Sequence, residues 1–174
     1  MIEFVDASIS YGGSELLGDM TLKLAPGSFH FLTGPSGAGK TTFLKLCYGE
    51  LVPSSGSITL FGKDLRDCRR DDIADLRRRI GVVHQDCQFV DHLTMEENIA
   101  LPLVVAGETP DASELAELMG WVGLGGQARA LPPSLSGGER QRAALARAVM
   151  MSSEGVLADE PIMSLDPRHQ FVVM

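Results

Sequence analysis

The amino-acid sequence predicts an α/β fold with a mostly parallel sheet, a small antiparallel β-subdomain and a helical insert. The β-rich run SFHFLTG breaks into a glycine-rich loop and then into helical spacing, the order of a buried parallel strand that feeds a helix. Two alternating stretches near the N-terminus, together with GSITLFG, indicate antiparallel strands. From about Gly107 to Gly126 the composition becomes rich in Glu, Leu and Gly, which favours helices over a continued sheet.

Besides the parallel strand SFHFLTG, the N-terminal half is predicted to contain three antiparallel strands, two helices and a short further strand. IEFVDASISY and MTLKLAPG alternate apolar and polar residues as half-buried strands do, and GSITLFG completes their small sheet. Helical spacing of Phe43, Leu44, Leu46 and Cys47 predicts a helix after the glycine loop. RDDIADLRRR predicts a polar amphipathic helix, and the strand IGVV follows it.

The C-terminal half is predicted to be mainly helical until its last strand. SELAELMGWVGL indicates a helix capped by Ser113, GGERQRAALARAVM a second helix rich in Ala and Arg, and GVLAD a final strand. We expect a single domain over residues 1–174, with a helical subdomain at about 86–150.

Charge and hydropathy exclude several classes of function. A net charge of −8 argues against a nucleic-acid binder with a basic surface, and Asp residues interleave the basic runs at 69–70 and 77–79. The longest apolar stretch, IALPLVVAG, is far below the ~20 residues of a membrane helix and contains Pro102. Cys47, Cys68 and Cys87 lack metal-ligand spacing, so we expect reduced thiols. We therefore expect no nucleic-acid partner and no direct membrane insertion.

The stretch GPSGAGKTT fits the phosphate-binding pattern G-x-x-x-x-G-K-[ST]. Glycines let successive N–H groups turn toward phosphate oxygens, and the helix that begins near Lys40 adds its positive dipole end. Lys40 is predicted to reach the β- and γ-phosphates of ATP, and the Thr41 hydroxyl to hold Mg²⁺. The predicted nucleotide-binding residues of this loop are Gly34, Pro35, Ser36, Gly37, Ala38, Gly39, Lys40, Thr41 and Thr42.

Two carboxylates end the last predicted strand in VLADEP. Asp159 is placed to bind Mg²⁺ through water, and Glu160 to polarise the attacking water as the catalytic residue. Acidic residues after an apolar strand are common by chance. The interpretation of this pair as a catalytic site therefore depends on the glycine loop upstream.

The stretch LSGGERQRAALARA, from Leu135 to Ala148, resembles the signature motif of ABC-type ATPases, whose usual form is LSGGQ followed by a helix. Glu139 stands where Gln is commonest. A capping box of Ser136 and Glu139 explains a helix start but not the two glycines between them, Gly137 and Gly138. The resemblance implies a P-loop NTPase core of the ABC ATPase type. It also implies a homodimer in which ATP on one subunit's loop is covered by these four residues of the other.

The same resemblance assigns roles to three further positions. Tyr11 lies where the family has an aromatic ring that stacks on adenine, although a lone Tyr in a strand also serves for packing. Gln85 occupies the Q-loop position, whose amide contacts Mg²⁺ and the attacking water. PIMSLDP matches the D-loop, with Asp166 expected between two subunits.

FHFLTGPSGAGKTTFLKL, LRRRIGVVHQD and ENIALPLVVAG together resemble the FtsE family of cell-division ATP-binding proteins. That resemblance implies an ATP-hydrolysing subunit that acts with an FtsX-like integral-membrane permease. The chain would then be cytoplasmic and peripheral on the inner face of the cell membrane. ATPases of lipoprotein-release or macrolide-type exporters share much of NIALPL and stay open as an alternative.

A second alternative is a regulatory module that binds ATP without hydrolysing it. The family carries one more strand and a switch-loop histidine a few tens of residues after the paired acids. Here only His169 follows Glu160, nine residues on. We therefore expect the chain to lack the usual C-terminal strand and switch-histidine region.

Overall fold

The computed structural model describes residues 2–151 and 154–159. The chain divides into two compact units, Met1–Ile80 and Gly81–Met174. We call these the N-terminal and the C-terminal unit and describe each by itself.

A four-stranded antiparallel sheet forms the core of the N-terminal unit, in the order β2-β1-β3-β4. Ile2 in β1 lies opposite Leu24 in β2 on one side and Leu60 in β3 on the other. The small antiparallel β-subdomain is thus confirmed, although β2 begins earlier than predicted. The strands are β1 (Ile2–Tyr11), β2 (Ser14–Leu24), β3 (Ser55–Leu60) and β4 (Lys63–Asp64).

Two helices belong to this unit, α1 (Lys40–Cys47) and α2 (Arg70–Arg78). The Phe43 ring of α1 stacks on Phe4 of β1 with centroids 5.1 Å apart, so α1 packs on the sheet. Arg77 donates to the carbonyl oxygens of Tyr48 and Gly49, at 3.1 and 2.9 Å. The end of α1 is therefore fixed by both the sheet and α2.

The predicted strand SFHFLTG is wrong as a description of this structure, because residues 28–35 have no regular secondary structure. Phe29 and Phe31 are 64% and 75% exposed, and their rings pack edge to face on each other. A buried parallel strand needs a hydrogen-bonding neighbour, and no strand among the described residues pairs with this segment. Its sequence carries the β pattern, but the pattern alone does not supply a partner.

β5 (Ile80–Val83) and β6 (Gly155–Ala158) form a two-stranded sheet, both as predicted, and all of it except Ile80 belongs to the C-terminal unit. The Asp159 N–H donates to Val83 O at 3.0 Å, which joins the carboxyl ends of both strands. The two strands therefore run in the same direction.

In the described part of the C-terminal unit, three α-helices pack around one apolar core. Its buried residues include Met95 and Ile99 of α3, Met119 of α4 and Ala143 of α5. The helices are α3 (Met95–Ala106), α4 (Ala112–Trp121) and α5 (Gly137–Met150), with 3₁₀ turns at Gly125–Gln127 and Pro132–Ser134.

Asp111, not the predicted Ser113, caps α4. The Asp111 carboxylate accepts hydrogen bonds from the N–H groups of Ser113 and Glu114, at 2.8 and 3.0 Å. A carboxylate at this position also interacts favourably with the helix dipole, which a hydroxyl cannot do as well. The helix itself is confirmed.

Candidate nucleotide-binding site

The glycine loop turns through left-handed backbone conformations just before α1. Gly37 and Gly39 have φ of +79° and +86°, which other residues rarely adopt. A Cβ on Gly39 would also lie 2.9 Å from a methyl carbon of Leu17. Residues 34–38 are exposed. The loop is thus a solvent-facing turn whose left-handed backbone requires glycine.

The N-terminus of α1 has no side-chain cap. Gly39 is the N-cap residue, and no side-chain hydrogen bond serves it. The first N–H groups of a helix have no partner within the helix, and together with the dipole they favour an anion. This end of α1 is suited to a phosphate group.

The Lys40 side chain folds over the loop. Its ammonium donates to the carbonyl oxygens of Gly34 and Pro35, at 3.0 and 2.9 Å. These bonds hold a positive charge above the loop backbone, where a phosphate would sit between the cation and the helix end.

A tight turn at His84–Cys87 presents Gln85 to solvent in the C-terminal unit. The Cys87 N–H donates to His84 O at 3.2 Å and closes the turn. Cys87 has φ of +40°, is buried, and packs with Val83 and Ala144. Burial raises the pKa of the Cys87 thiol. Packing therefore holds the turn in a strained conformation that keeps Gln85 at the surface.

Gln85 and Asp159 follow the carboxyl ends of two neighbouring strands. The bond from Asp159 N to Val83 O places Asp159 beside the end of β5, two residues before Gln85. An amide oxygen and a carboxylate at one sheet edge are both oxygen ligands of the kind that Mg²⁺ takes.

Two side chains of the signature segment, which we define as residues 136–139, form hydrogen bonds within the segment. Ser136 Oγ accepts from Glu139 N at 3.3 Å, and the Glu139 carboxylate accepts from Ser136 N and Oγ at 2.9 and 2.6 Å. This is the capping box expected from the sequence. The hydrogen bonds from Ser136 lower the pKa of Glu139.

Gln127 gives the capping box a further contact that the sequence did not indicate. Its amide donates to the second carboxylate oxygen of Glu139 at 3.3 Å. The partner lies 12 residues away, and no local pattern marks such a contact. The carboxylate is thus held from both sides before any nucleotide contact.

Among the described residues, Gly137 has no packing neighbour that requires it to be glycine. A Cβ built on it meets nothing within 4 Å, and its φ is not positive. Glycine in the first turn of a helix costs stability relative to alanine. A glycine without a structural need suits close approach of a ligand from outside this chain.

Asn98 supports the segment between the Gln85 turn and α3, which sequence reasoning missed. It is 0% exposed, and its amide donates to Val90 O, Leu93 O and Thr94 O at 3.0–3.1 Å. Its carbonyl accepts from Val90 N at 2.8 Å. A polar residue before an apolar run is the only sequence signal that could have found it.

The predicted site residues fall into both units. Tyr11, at the end of β1, and Gly34–Thr42 belong to the N-terminal unit, whereas Gln85, Ser136–Glu139 and Asp159 belong to the C-terminal unit. The Tyr11 side chain, Glu160 and the D-loop lie outside what the structure describes. The role of each residue stays a prediction.

The cysteines form no disulfide among the described residues. Burial raises the pKa of Cys47 to about 12, so this thiol stays protonated at neutral pH. No group of three or more His, Cys, Asp or Glu side chains suited to a metal is found in the described ranges. Within 2–151 and 154–159, no helix is both long enough and apolar enough to cross a membrane.

A sequence profile described as ABC transporter matches residues 17–163. With the phosphate loop, the signature capping box and the acidic strand end already described, this match is decisive. The chain belongs to the ABC transporter family, as its nucleotide-binding ATPase domain.

Two curated relatives are named cell division ATP-binding protein FtsE. The Bacillus subtilis protein is 40% identical over all of this chain and 78% of its own length. The Escherichia coli K12 protein is 41% identical over 95% of this chain and 76% of its own length. The resemblance to the FtsE family is thereby confirmed.

Solved structures confirm the fold class. A dimeric ATP-binding cassette in a post-hydrolysis state with ADP and Pi has a TM-score of 0.86 and 29% identity, over 97% of this chain and 77% of that chain. A dimeric bacterial ABC transporter cassette has a TM-score of 0.87 and 31% identity over the same shares.

Proposed function

We propose that this chain is the ATP-hydrolysing subunit of an FtsE-like membrane complex that acts in bacterial cell division with an FtsX-like permease. The observation that carries this proposal is the 37–42% identity to proteins named FtsE, over 95–100% of the chain. Since the relatives' name refers to cell division, the same process is proposed here. The chain would be cytoplasmic and lie on the inner face of the membrane through its partner.

ATP would bind to the loop Gly34–Thr42. Glycines with left-handed φ shape the backbone of the loop, and the N-terminal end of α1 has no side-chain cap on its N–H groups. The Lys40 ammonium is bonded to the carbonyl oxygens of the loop. Each of these features favours an anionic ligand. Tyr11 would stack on the adenine ring.

Mg²⁺ fits the proposed residues by their chemistry. Thr41 contributes a hydroxyl, Gln85 an amide oxygen and Asp159 a carboxylate, and Mg²⁺ takes hard oxygen ligands. When bound, the ion neutralises charge on the phosphates. Glu160 would accept a proton from the attacking water, while Gln85 would orient that water.

A second copy would complete the site through its signature segment. Ser136, Gly137, Gly138 and Glu139 form the start of α5, a further helix N-terminus suited to phosphate. The open space at Gly137 supports this role. A homodimer with ATP between the subunits follows, consistent with the dimeric cassettes of the same fold.

The hydrolysis step can be tested by steady-state ATPase measurement of the chain with and without Mg²⁺, beside Glu160→Gln. We expect Mg²⁺-dependent turnover that falls at least about 100-fold in the variant, as with loss of a positioned catalytic base. Equal, negligible rates in both proteins would support an ATP-binding regulatory module instead.

The partner can be tested by co-purification with candidate permeases expressed in the same cells. An FtsX-like permease should be retained, and a lipoprotein-release permease, used as the matched control, should not. The reverse preference would place the chain in an exporter.

A further inference from the structure

Arg147 holds the segment that follows the Gln85 turn. It lies on α5, and its guanidinium donates to Gln88 O at 2.7 Å. The same group lies over the Phe89 ring, 4.7 Å from its centroid. One side chain of α5 thus contacts two successive residues, Gln88 and Phe89, which follow the Gln85 turn.

The environment of Arg147 is unfavourable for an isolated charge. Burial lowers the pKa of its guanidinium, and no carboxylate in the described part of the chain forms an ion pair with it. Arginine stays protonated in proteins, so the charge is kept at a cost in desolvation. A neutral side chain would fill this position without the desolvation cost of a charge if packing were the only requirement.

The body of α5 is also in direct contact with β5 and the turn. A Cβ on Gly81 would lie 2.3 Å from Ala148 O, so the strand and the helix touch at their backbones. Val83 and Cys87 pack on Ala144 and Ala148. Arg147 thus adds a polar anchor to a strand and a turn that already lie against the helix.

The other end of α5 begins at the signature segment. Ser136 caps the helix, and Arg147 lies 11 residues further, about 16 Å along the axis. A single α-helix is stiff over this distance. A shift of the Gln85 turn and a shift of the signature segment would therefore be mechanically linked.

We propose that Arg147 is a positioning residue that ties the Gln85 turn to α5 and so to the signature segment. It acts through the backbone of Gln88 and through the ring of Phe89. This inference rests on the proposed function, because it takes Gln85 as the group that orients the attacking water.

Arg142 offers a matched control on the same helix. Its guanidinium also donates to a backbone carbonyl, Val122 O at 2.9 Å, which lies after α4 rather than near Gln85. Arg147→Met and Arg142→Met both remove such a bond. Only the first is expected to loosen the turn, and Arg147→Lys keeps the charge without the planar fork.

The first measurement is hydrogen–deuterium exchange of the backbone amides at 84–90 in the full chain. We expect exchange about tenfold faster in Arg147→Met, less so in Arg147→Lys, and unchanged in Arg142→Met, since a charged hydrogen bond is lost. Unchanged exchange in Arg147→Met would overturn the inference. This readout does not depend on ATP turnover.

The second measurement is a double-mutant cycle on ATPase activity with Gln85→Ala. Arg147→Met should lower kcat about tenfold and leave KM for ATP within about twofold. If Arg147 acts through Gln85, the double variant should have the kcat of Gln85→Ala alone. Multiplied effects would overturn the inference. A wild-type chain without Mg²⁺-dependent turnover would contradict the proposed function, and the exchange comparison would still decide the role of Arg147.

Discussion

The two predicted phosphate-binding helix ends of this chain are built in opposite ways. The N-cap of α1 is Gly39, with φ of +86° and no side-chain cap, whereas the N-cap of α5 is Ser136, which belongs to a complete capping box. The first end gets its shape from glycine backbone and from Lys40. The second gets its shape from two side chains bonded to each other. The N-terminal end of α1 has no side-chain cap, whereas the N-terminal end of α5 is already capped by its own side chains.

This difference predicts that substitutions at the two helix ends will change ligand binding and the free energy of unfolding in different combinations. At α1, the residues that shape the loop are also those proposed to bind the anion. At α5, the capping box stabilises the helix, and the glycines are proposed to contact the ligand. Four experiments test this contrast, in decreasing order of their expected effect.

Lys40→Ala should have the largest effect, since it removes the cation that lies over the open loop. We expect affinity for a non-hydrolysable ATP analogue to fall at least about 100-fold by calorimetry, as charge-assisted bonds to phosphate are lost. Lys45→Ala is the control, because Lys45 lies on the same helix and pairs with Glu50 at 2.9 Å. Unchanged affinity in Lys40→Ala would contradict the assignment of the loop.

Gly39→Ala and Gly137→Ala form a matched pair, one at each helix end. The first forces alanine into a left-handed conformation against Leu17 and should lower the free energy of unfolding by about 1–2 kcal/mol. The second should raise it by about 0.5–1 kcal/mol yet lower ATP turnover about tenfold, because its methyl group would face the proposed ligand. Urea denaturation and ATPase assays measure both. Full turnover in Gly137→Ala would remove the argument for close phosphate approach.

Ser136→Ala should destabilise α5 by about 1 kcal/mol, the usual loss for an N-cap, and should also reduce turnover. Ser134→Ala serves as its control. The Ser134 hydroxyl donates to Leu131 O, at 2.7 Å, within a 3₁₀ turn. Equal urea midpoints for the two variants would show that the capping box contributes little.

Glu139→Gln should have the smallest effect, visible mainly in the pH dependence of stability. Hydrogen bonds from Ser136 lower the pKa of Glu139, so its contribution to stability is present above the ordinary pKa of a glutamate. It is lost as the pH falls through the lowered pKa of the folded state. The variant should therefore lose less stability than the wild type when the solution is acidified through this range. Urea midpoints across this range provide the measurement.

Glu97→Gln is the matched control for that experiment. Glu97 forms the same capping box with Thr94 at the start of α3, and hydrogen bonds from Thr94 lower its pKa in the same way. Both variants should weaken the loss of stability at acidic pH, but only Glu139→Gln should alter ATP turnover. A turnover change in both would point to general loosening of the helices.

Local patterns predicted much of the fold because their causes are local. The capping box of α5 lies within four residues, and the short apolar runs of β5 and β6 are marked by their composition. The cap of α4 was misplaced because Asp111 and Ser113 are both good capping residues only two positions apart. Sequence alone does not weigh a carboxylate with two N–H partners against a hydroxyl.

The remaining errors and omissions have distant causes. Residues 28–35 carry a strand pattern, yet a strand forms only where a neighbour accepts its hydrogen bonds. Asn98 and Arg147 act on backbone carbonyls, and no spacing rule marks a carbonyl as a partner. The phosphate loop and the signature could be identified from the sequence, whereas the contacts that hold the Gln85 turn could not.

The pairing of β5 with β6 also has a consequence for synthesis on the ribosome. About 70 residues separate the two strands, so β5 is made long before its partner. At the usual rates of translation this delay lasts roughly 4–14 s. During that interval β5 has an open edge of the kind that invites aggregation, and α5, which packs on it, also emerges late. Slow codons within this stretch would prolong the exposure, and a chaperone that binds short apolar strands would find its target at 80–83.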